Sequence, residues 1–187
     1  MRKIICLSII SLGLIVSCKG KIDKNESVSD SLVVAELPKP VEVEEEIKAQ
    51  IIYSDFDKVQ KLANTKNDTV YITNYWATWC MPCVEEIPDF VDLREEYKDK
   101  KVKFIFVNVD EFEDVLSEVI PFVKKYKMQK VYQISLQELE KFQSFNPELT
   151  QAIPVTVIQK REEKEGLSGS FPKSVIADKI EGYLSKK

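Results

Sequence analysis

Histidine is absent from the 187-residue chain. Because imidazole is the usual general base near neutral pH and the commonest metal ligand, its absence removes many catalytic and metal-binding schemes. Cysteine is also scarce, with four residues. Any chemistry that depends on a soft nucleophile must therefore use one of a few positions.

The chain also lacks a basic stripe, and its formal net charge is −4. A phosphate backbone requires clustered lysine and arginine, so nucleic acid is excluded as a partner. The acidic runs Glu42–Glu46 and Asp110–Asp114 predict a solvated, charged face. Hydrophobic residues make up 44% of the chain and charged residues 31%, which is typical of a compact domain.

The N-terminal apolar run, Ile4–Val16, is too short for a transmembrane helix, which needs about 20 residues. It follows Arg2 and Lys3, which is typical of a secretory signal peptide. Its end, Ile15-Val16-Ser17-Cys18, resembles the lipobox of bacterial lipoproteins, where cleavage precedes an acylated cysteine. We therefore expect a signal peptide over residues 1–17, a lipid anchor at Cys18 and a location in the cell envelope, facing the periplasm. Ordinary cleavage and a retained anchor are the alternatives.

Domain organisation follows from composition. The polar residues that follow Cys18 are rich in Ser, Lys and Glu, so we interpret 18–46 as the acylated cysteine and a flexible tether. Strand and helix patterns alternate over 47–187, which predicts an α/β domain with a mixed sheet and helices on both faces. The predicted strands are 51–53, 69–76, 103–109, 131–134 and 155–159, with a polar turn over 160–166 and a hairpin strand over 167–171. The predicted helices are 56–62, 80–97 (kinked at Pro88), 112–123, 136–142 and 175–184.

Cys80 and Cys83 are separated by two residues at the predicted junction of a buried strand and a helix. The unpaired N–H groups and partial positive charge at a helix N-terminus favour a thiolate on the first cysteine. Cys80 is therefore predicted to attack a substrate disulfide, and Cys83 to resolve the mixed disulfide. Cys6 would leave with the signal peptide, so these are the two remaining thiols of the mature chain.

The string Trp79-Cys80-Met81-Pro82-Cys83 after a hydrophobic strand resembles the thioredoxin superfamily. The longer stretch NYWATWCMPCVEEIP, residues 74–88, resembles its membrane-anchored TlpA and ResA branch. The likeness extends roughly from Ile51 to Leu184 and implies a thioredoxin fold. It also implies a cis Pro154 facing the cysteines, an Ile153 backbone that pairs with an extended substrate, and a substrate-binding surface that includes Trp79, Met81 and Pro82.

The resemblance bears on Glu86 as well. Many thioredoxins have a buried aspartate where this chain has Asn74, whereas the TlpA and ResA branch often has asparagine there and a glutamate three residues after the second cysteine. Glu86 occupies that position. Two interpretations stay open: Glu86 raises the thiol pKa values or relays protons, or it is a solvated carboxylate on a helix surface like Glu85. Trp76 is predicted to lie in the core.

Other site chemistries fit poorly. Zinc normally takes four Cys or His ligands, and haem attachment needs a histidine where Val84 stands. We therefore expect no metal and no cofactor. The resemblance implies a reductase of exported disulfide proteins, including apocytochromes c, that receives electrons from a membrane thiol donor and is attached to the membrane by its lipid. The alternatives are an oxidase or isomerase, and a non-catalytic binding lipoprotein with a structural disulfide.

Overall fold

The computed structural model of the protein describes residues 50–63, 66–142, 149 and 152–186. The predicted signal peptide, the lipidation site Cys18 and the tether over 18–46 lie outside these residues. Within the described part, no helix is long and apolar enough to cross a membrane.

Six strands form one mixed sheet in the order β1-β4-β3-β2-β5-β6. The first four in sequence run parallel to one another, whereas β5 pairs antiparallel with β2 and β6 pairs antiparallel with β5. The strand bounds are Ile51–Tyr53 (β1), Val70–Trp76 (β2), Val102–Asn108 (β3), Val131–Gln133 (β4), Val155–Lys160 (β5) and Glu163–Ser168 (β6). Within the described residues, the α-helices are Phe56–Gln60 (α1), Met81–Glu96 (α2), Ile120–Lys125 (α3) and Lys173–Ser185 (α4).

The central strand β2 carries helices on both of its faces. All seven of its residues are buried, which its β-branched and aromatic composition favours. Because successive side chains of a strand point to opposite faces, Trp76 and Tyr75 report on different layers. Trp76 packs against Phe122 of α3 with ring centroids 4.9 Å apart, whereas Tyr75 packs against Phe56 of α1 with ring centroids 6.2 Å apart. The predicted α/β layer arrangement and the core position of Trp76 are confirmed.

The β5–β6 hairpin, which forms one edge of the sheet, differs from the prediction. The polar stretch 160–166 is not a turn: β5 ends at Lys160, Arg161 and Glu162 make the connection, and β6 begins at Glu163. Arg161 has a φ of 55°, as two-residue hairpin turns require. The prediction failed because β6 is an edge strand whose first residues are charged, so its side chains lack the apolar alternation of a half-buried strand.

The segment after β3 is helical over its predicted length but not as one α-helix. A 3₁₀ turn over Phe112–Asp114 leads into a π-helical stretch, Val115–Val119, and regular α-helix begins only at Ile120. Pro121 explains this start, because a proline without an N–H is tolerated in the first turn of a helix and not in its interior. The next predicted helix is also tighter than expected, since Leu136–Lys141 form a 3₁₀ helix.

Candidate active site

The two paired cysteines lie where β2 ends and α2 begins. Cys80 is the N-cap residue of α2, Pro82 lies in its first turn, and a disulfide joins Cys80 to Cys83 with the Cα atoms 5.2 Å apart. Cys83 is fully buried, whereas Cys80 keeps 6% of its surface exposed. Cys80 is therefore the more exposed residue of the pair.

Two large apolar side chains flank the disulfide at the surface. Trp79 is 58% exposed and Met81 is 67% exposed, although both are adjacent to the largely buried Cys80. The helix α2 then continues across Pro88 to Glu96. Exposed aromatic and thioether side chains beside a reactive pair are typical of a surface that receives another molecule.

A second loop lies at the same end of the sheet as the disulfide, where β2 finishes. The Ile153–Pro154 peptide bond is cis, as the family resemblance implies. Because β5 is the antiparallel neighbour of β2, with Val155 opposite Tyr75, the start of β5 lies beside the end of β2. Gly169 donates its N–H to the carbonyl of Pro154 at 2.9 Å. Its φ of 97° is left-handed and favours glycine at this contact.

Glu86 is a buried carboxyl group in the first turns of α2, with 3% of its surface exposed. The Nδ2 group of Asn74 donates to Glu86 Oε1 at 2.8 Å and also to Thr156 Oγ1 at 3.1 Å. Ser170 and the backbone of Phe171 also form hydrogen bonds with the carboxyl group. The solvated position considered for Glu86 is therefore not the one observed, while its part in thiol chemistry stays a prediction.

Burial raises the pKa of Glu86 from 4.5 to about 7, although the hydrogen bonds from Asn74, Ser170 and Phe171 lower it and Asp89 raises it slightly. A raised pKa means that ionisation of Glu86 opposes folding. Its favourable contribution is complete below pH of about 4.5 and is lost as the pH rises through about 7. The group is thus neutral in acid and becomes charged near neutral pH.

We expect Glu86→Gln to remove this pH dependence, because glutamine keeps an acceptor for Asn74 but does not ionise. Between pH 5 and pH 8 the wild-type protein should lose about 2.5 kcal/mol of unfolding free energy relative to the variant. Urea unfolding across that range measures the difference. Glu85→Gln is the matched control, since Glu85 is exposed on the same turn. Parallel curves for wild type and Glu86→Gln would contradict the prediction.

Sequence reasoning missed Asp110. The run Asp110–Asp114 was interpreted as a solvated face, but Asp110 is only 2% exposed. Its carboxylate accepts the N–H of Thr78 at 2.8 Å, the hydroxyl of Thr78, and Nδ2 of Asn108 at 2.7 Å. Because Thr78 lies two residues before Cys80, Asp110 fixes the loop that presents the disulfide. One sequence feature could have indicated its burial: Asp110 comes directly after the buried strand β3, which finishes at the same end of the sheet as β2.

In the part of the chain that the structure describes, no group of three or more His, Cys, Asp or Glu side chains is arranged to hold a metal ion. The site consists instead of the disulfide, the exposed Trp79 and Met81, the cis-proline loop and the buried pair Asn74–Glu86. This arrangement is suited to exchange of a disulfide with a polypeptide that lies against the surface.

Sequence comparisons agree with this geometry. The model of the redoxin family matches residues 45–161. The thiol-disulfide oxidoreductase ResA of Oceanobacillus iheyensis is 29% identical over 121 residues, which are 60% of this chain and 54% of that protein. ResA of Bacillus cereus is 37% identical over 68 residues, 36% of this chain and 37% of that protein. The chain thus spans about half or less of the length of these relatives, and the predicted resemblance to the TlpA and ResA branch is confirmed.

Solved structures share the fold. The thiol:disulfide interchange protein of the thioredoxin family from Chlorobium tepidum superposes with a TM-score of 0.53, at 23% identity, over 63% of this chain and 81% of its own. A DsbF homologue from Corynebacterium diphtheriae gives a TM-score of 0.51 at 18% identity, over 62% of this chain and 73% of its own. The predicted thioredoxin fold is confirmed.

Proposed function

The chain belongs to the redoxin family, and on that premise we propose that it is a protein-disulfide reductase working outside the cytoplasm, held at a membrane by a lipid on Cys18. The observation that carries the proposal is the asymmetry of the cysteine pair. Cys80 caps a helix at the surface, next to exposed apolar side chains, while Cys83 is fully buried one turn further along. A disulfide with only a structural role has no need of one cysteine that is more exposed than the other.

The reaction is a pair of exchange steps that begins from the reduced protein. The Cys80 thiolate attacks one sulfur of a substrate disulfide, forms a mixed disulfide and releases the other substrate sulfur as a thiolate. The Cys83 thiolate then attacks the Cys80 sulfur, closes the Cys80–Cys83 disulfide and releases the second substrate thiolate. Two electrons pass to the substrate, whose two thiolates take up protons, and a dithiol donor must later reduce the protein again.

The position of the partially charged helix terminus supports the first step. The N–H groups in the first turn of α2 have no partner within the helix and stabilise negative charge on Cys80. Because Pro82 lacks an N–H, the free N–H groups of this first turn are supplied by its neighbours Met81 and Cys83. The buried carboxyl group of Glu86 is proposed to exchange protons with the pair, with Asn74 orienting it at 2.8 Å.

The direction of electron flow follows from the residues between the cysteines. Strongly oxidising relatives tend to have histidine there, which stabilises the thiolate of the reduced form, whereas this chain has Met81 and Pro82. We therefore propose a reduction potential nearer that of thioredoxin, about −270 mV, than that of DsbA, about −120 mV. Exported proteins that carry disulfides, apocytochromes c among them, are the proposed substrates, and a membrane thiol carrier is the proposed electron donor.

The polarity of the sheet is compatible with attachment through the N-terminal segment. Gln50 lies directly before β1, at the end of the sheet where the parallel strands start. Cys80 lies at the opposite end, where those strands finish. The first described residue and the disulfide are therefore separated by the length of the strands.

The deciding experiment is the reduction potential of Cys80–Cys83, measured by equilibration of the purified protein with thiol buffers of known ratio and counting of free thiols. A value within about 40 mV of thioredoxin supports the reductase. A value near DsbA would indicate an oxidase or isomerase instead. A pair that never exchanges would leave a binding lipoprotein with a structural disulfide as the better account.

A further inference from the structure

A groove of about 490 Å³ lies against Trp79, the neighbour of Cys80 in the chain. One wall comprises Trp79, which precedes Cys80, and Ile153, which precedes the cis proline. The other wall is the short 3₁₀ helix over Leu136–Lys141, which the exchange chemistry itself does not use. The residues that line the groove include Trp79, Leu136, Leu139, Glu140, Ala152 and Ile153.

The floor of the groove is apolar and its rim is negatively charged. Leu139 is buried and Leu136 is half-buried, so together with Trp79 they offer a surface for one apolar side chain. Glu140 is exposed and forms no ion pair with any residue that the structure describes. Its neighbour Lys141 is already engaged, by Glu138 at 2.8 Å and by Asp57 at 3.3 Å.

The other exposed charges at this end of the sheet, where the parallel strands finish, are also mostly negative. Lys58, near the end of β1, is paired with Asp55 at 2.8 Å, so it does not offset the neighbouring carboxylates. The carboxylates exposed on the segment after β3 are Glu111, Glu113, Asp114 and Glu118. Because the parallel strands all finish at this end of the sheet, these side chains and Glu140 contribute to one negative electrostatic potential on the side that carries the disulfide.

We propose that the groove selects disulfide-bonded polypeptides in which an apolar side chain beside the reacting cysteine is adjacent to a lysine or arginine. The apolar side chain packs on Leu136, Leu139 and Trp79, and the cationic side chain pairs with Glu140. The negative potential of these carboxylates accelerates the association of such chains. Because salt screens this attraction, the acceleration should fall as the salt concentration rises. This selectivity rests on the proposed reductase function and specifies its substrate class.

The test uses the full chain in its reduced form and three synthetic peptides that each contain one internal disulfide. They differ only beside the first cysteine, which is followed by Ile-Lys, Ile-Glu or Ser-Lys. Acid quenching and mass spectrometry of the peptide give the second-order rate constant of reduction. At low salt we expect Ile-Lys to react about fivefold faster than Ile-Glu and about tenfold faster than Ser-Lys.

Variants assign the charge preference to Glu140. Glu140→Gln should reduce the Ile-Lys over Ile-Glu preference to about twofold, and Glu140→Lys should abolish or reverse it. Glu162→Gln is the matched control. Glu162 is exposed in the β5–β6 connection, at the end of the sheet opposite the disulfide. The control should keep the wild-type preference, and thermal unfolding verifies that each variant is folded.

Each outcome decides between defined statements. Equal rates for the Ile-Lys and Ile-Glu peptides, or a preference that Glu140→Lys leaves intact, would overturn the selectivity while the reductase function stands. A failure to reduce any of the peptides, with the Cys80 and Cys83 thiols shown to be free, would overturn both. A preference that survives in concentrated salt would contradict its electrostatic origin.

Discussion

Cys80→Ser should abolish disulfide exchange, leaving no rate above that of a chain without either cysteine of the pair. The serine hydroxyl is not ionised near neutral pH and cannot form the mixed disulfide, so the first step has no nucleophile. Cys83 does not substitute, because it is fully buried. Reduction of a peptide disulfide, followed by thiol counting, measures the effect.

The partner variant separates the two roles. In Cys83→Ser the attack by Cys80 still occurs but nothing resolves its product, so the variant should accumulate as a stable mixed disulfide with its substrate. Non-reducing electrophoresis detects that species, and added dithiothreitol should release it. Cys18→Ser serves as a control for loss of a cysteine outside the pair. Wild-type exchange by Cys80→Ser would disprove the assigned mechanism.

The second large effect is expected at Asp110. Asp110→Ala removes one carboxylate that accepts three hydrogen bonds, and it leaves the half-buried N–H of Thr78 and the buried Nδ2 of Asn108 without their acceptor. Hydrogen bonds to a charged group and unpaired buried donors each matter at the level of 1–3 kcal/mol, so the unfolding free energy should fall by about 3 kcal/mol. Urea denaturation measures this loss.

Two comparisons make the Asp110 prediction specific. Asp114→Ala changes an exposed member of the same acidic run and should alter stability by less than about 0.5 kcal/mol. Asp110→Asn keeps one acceptor oxygen and should fall between wild type and alanine. The alanine variant should also show faster alkylation of the reduced Cys80, since Thr78 no longer holds the loop. Similar stability of the Asp110→Ala and Asp114→Ala variants would refute this role.

The active-site region could be predicted because its signals are local. A β-branched and aromatic run, followed by two cysteines and a helical pattern, already defines the strand, the turn and the helix N-terminus around Cys80. The cis bond at Pro154 is different, because only the family resemblance implies it; the structure confirms it. At the cysteines, by contrast, the residues that determine the local geometry are adjacent in the chain.

The contacts that sequence reasoning could not supply are those between distant segments. Asp110 lies 32 residues from Thr78, and only the parallel pairing of β2 and β3 places the two together. The burial of Glu86 likewise depends on Asn74 in β2 and on Ser170 after β6. An acidic residue in a charged run is exposed far more often than not, so the pattern alone favours the wrong side for Asp110.

The edge strand β6 has a consequence for how the protein meets unfolded chains. A sheet edge with free backbone groups is a template on which other extended polypeptides add and aggregate. At the edge strand β6, the charged side chains of Glu163, Lys164 and Glu165 discourage such pairing. The opposite edge strand, β1, is only three residues long and gives little backbone for pairing. A protein whose proposed clients are incompletely folded can therefore handle them at the disulfide without nucleating their aggregation along its flanks.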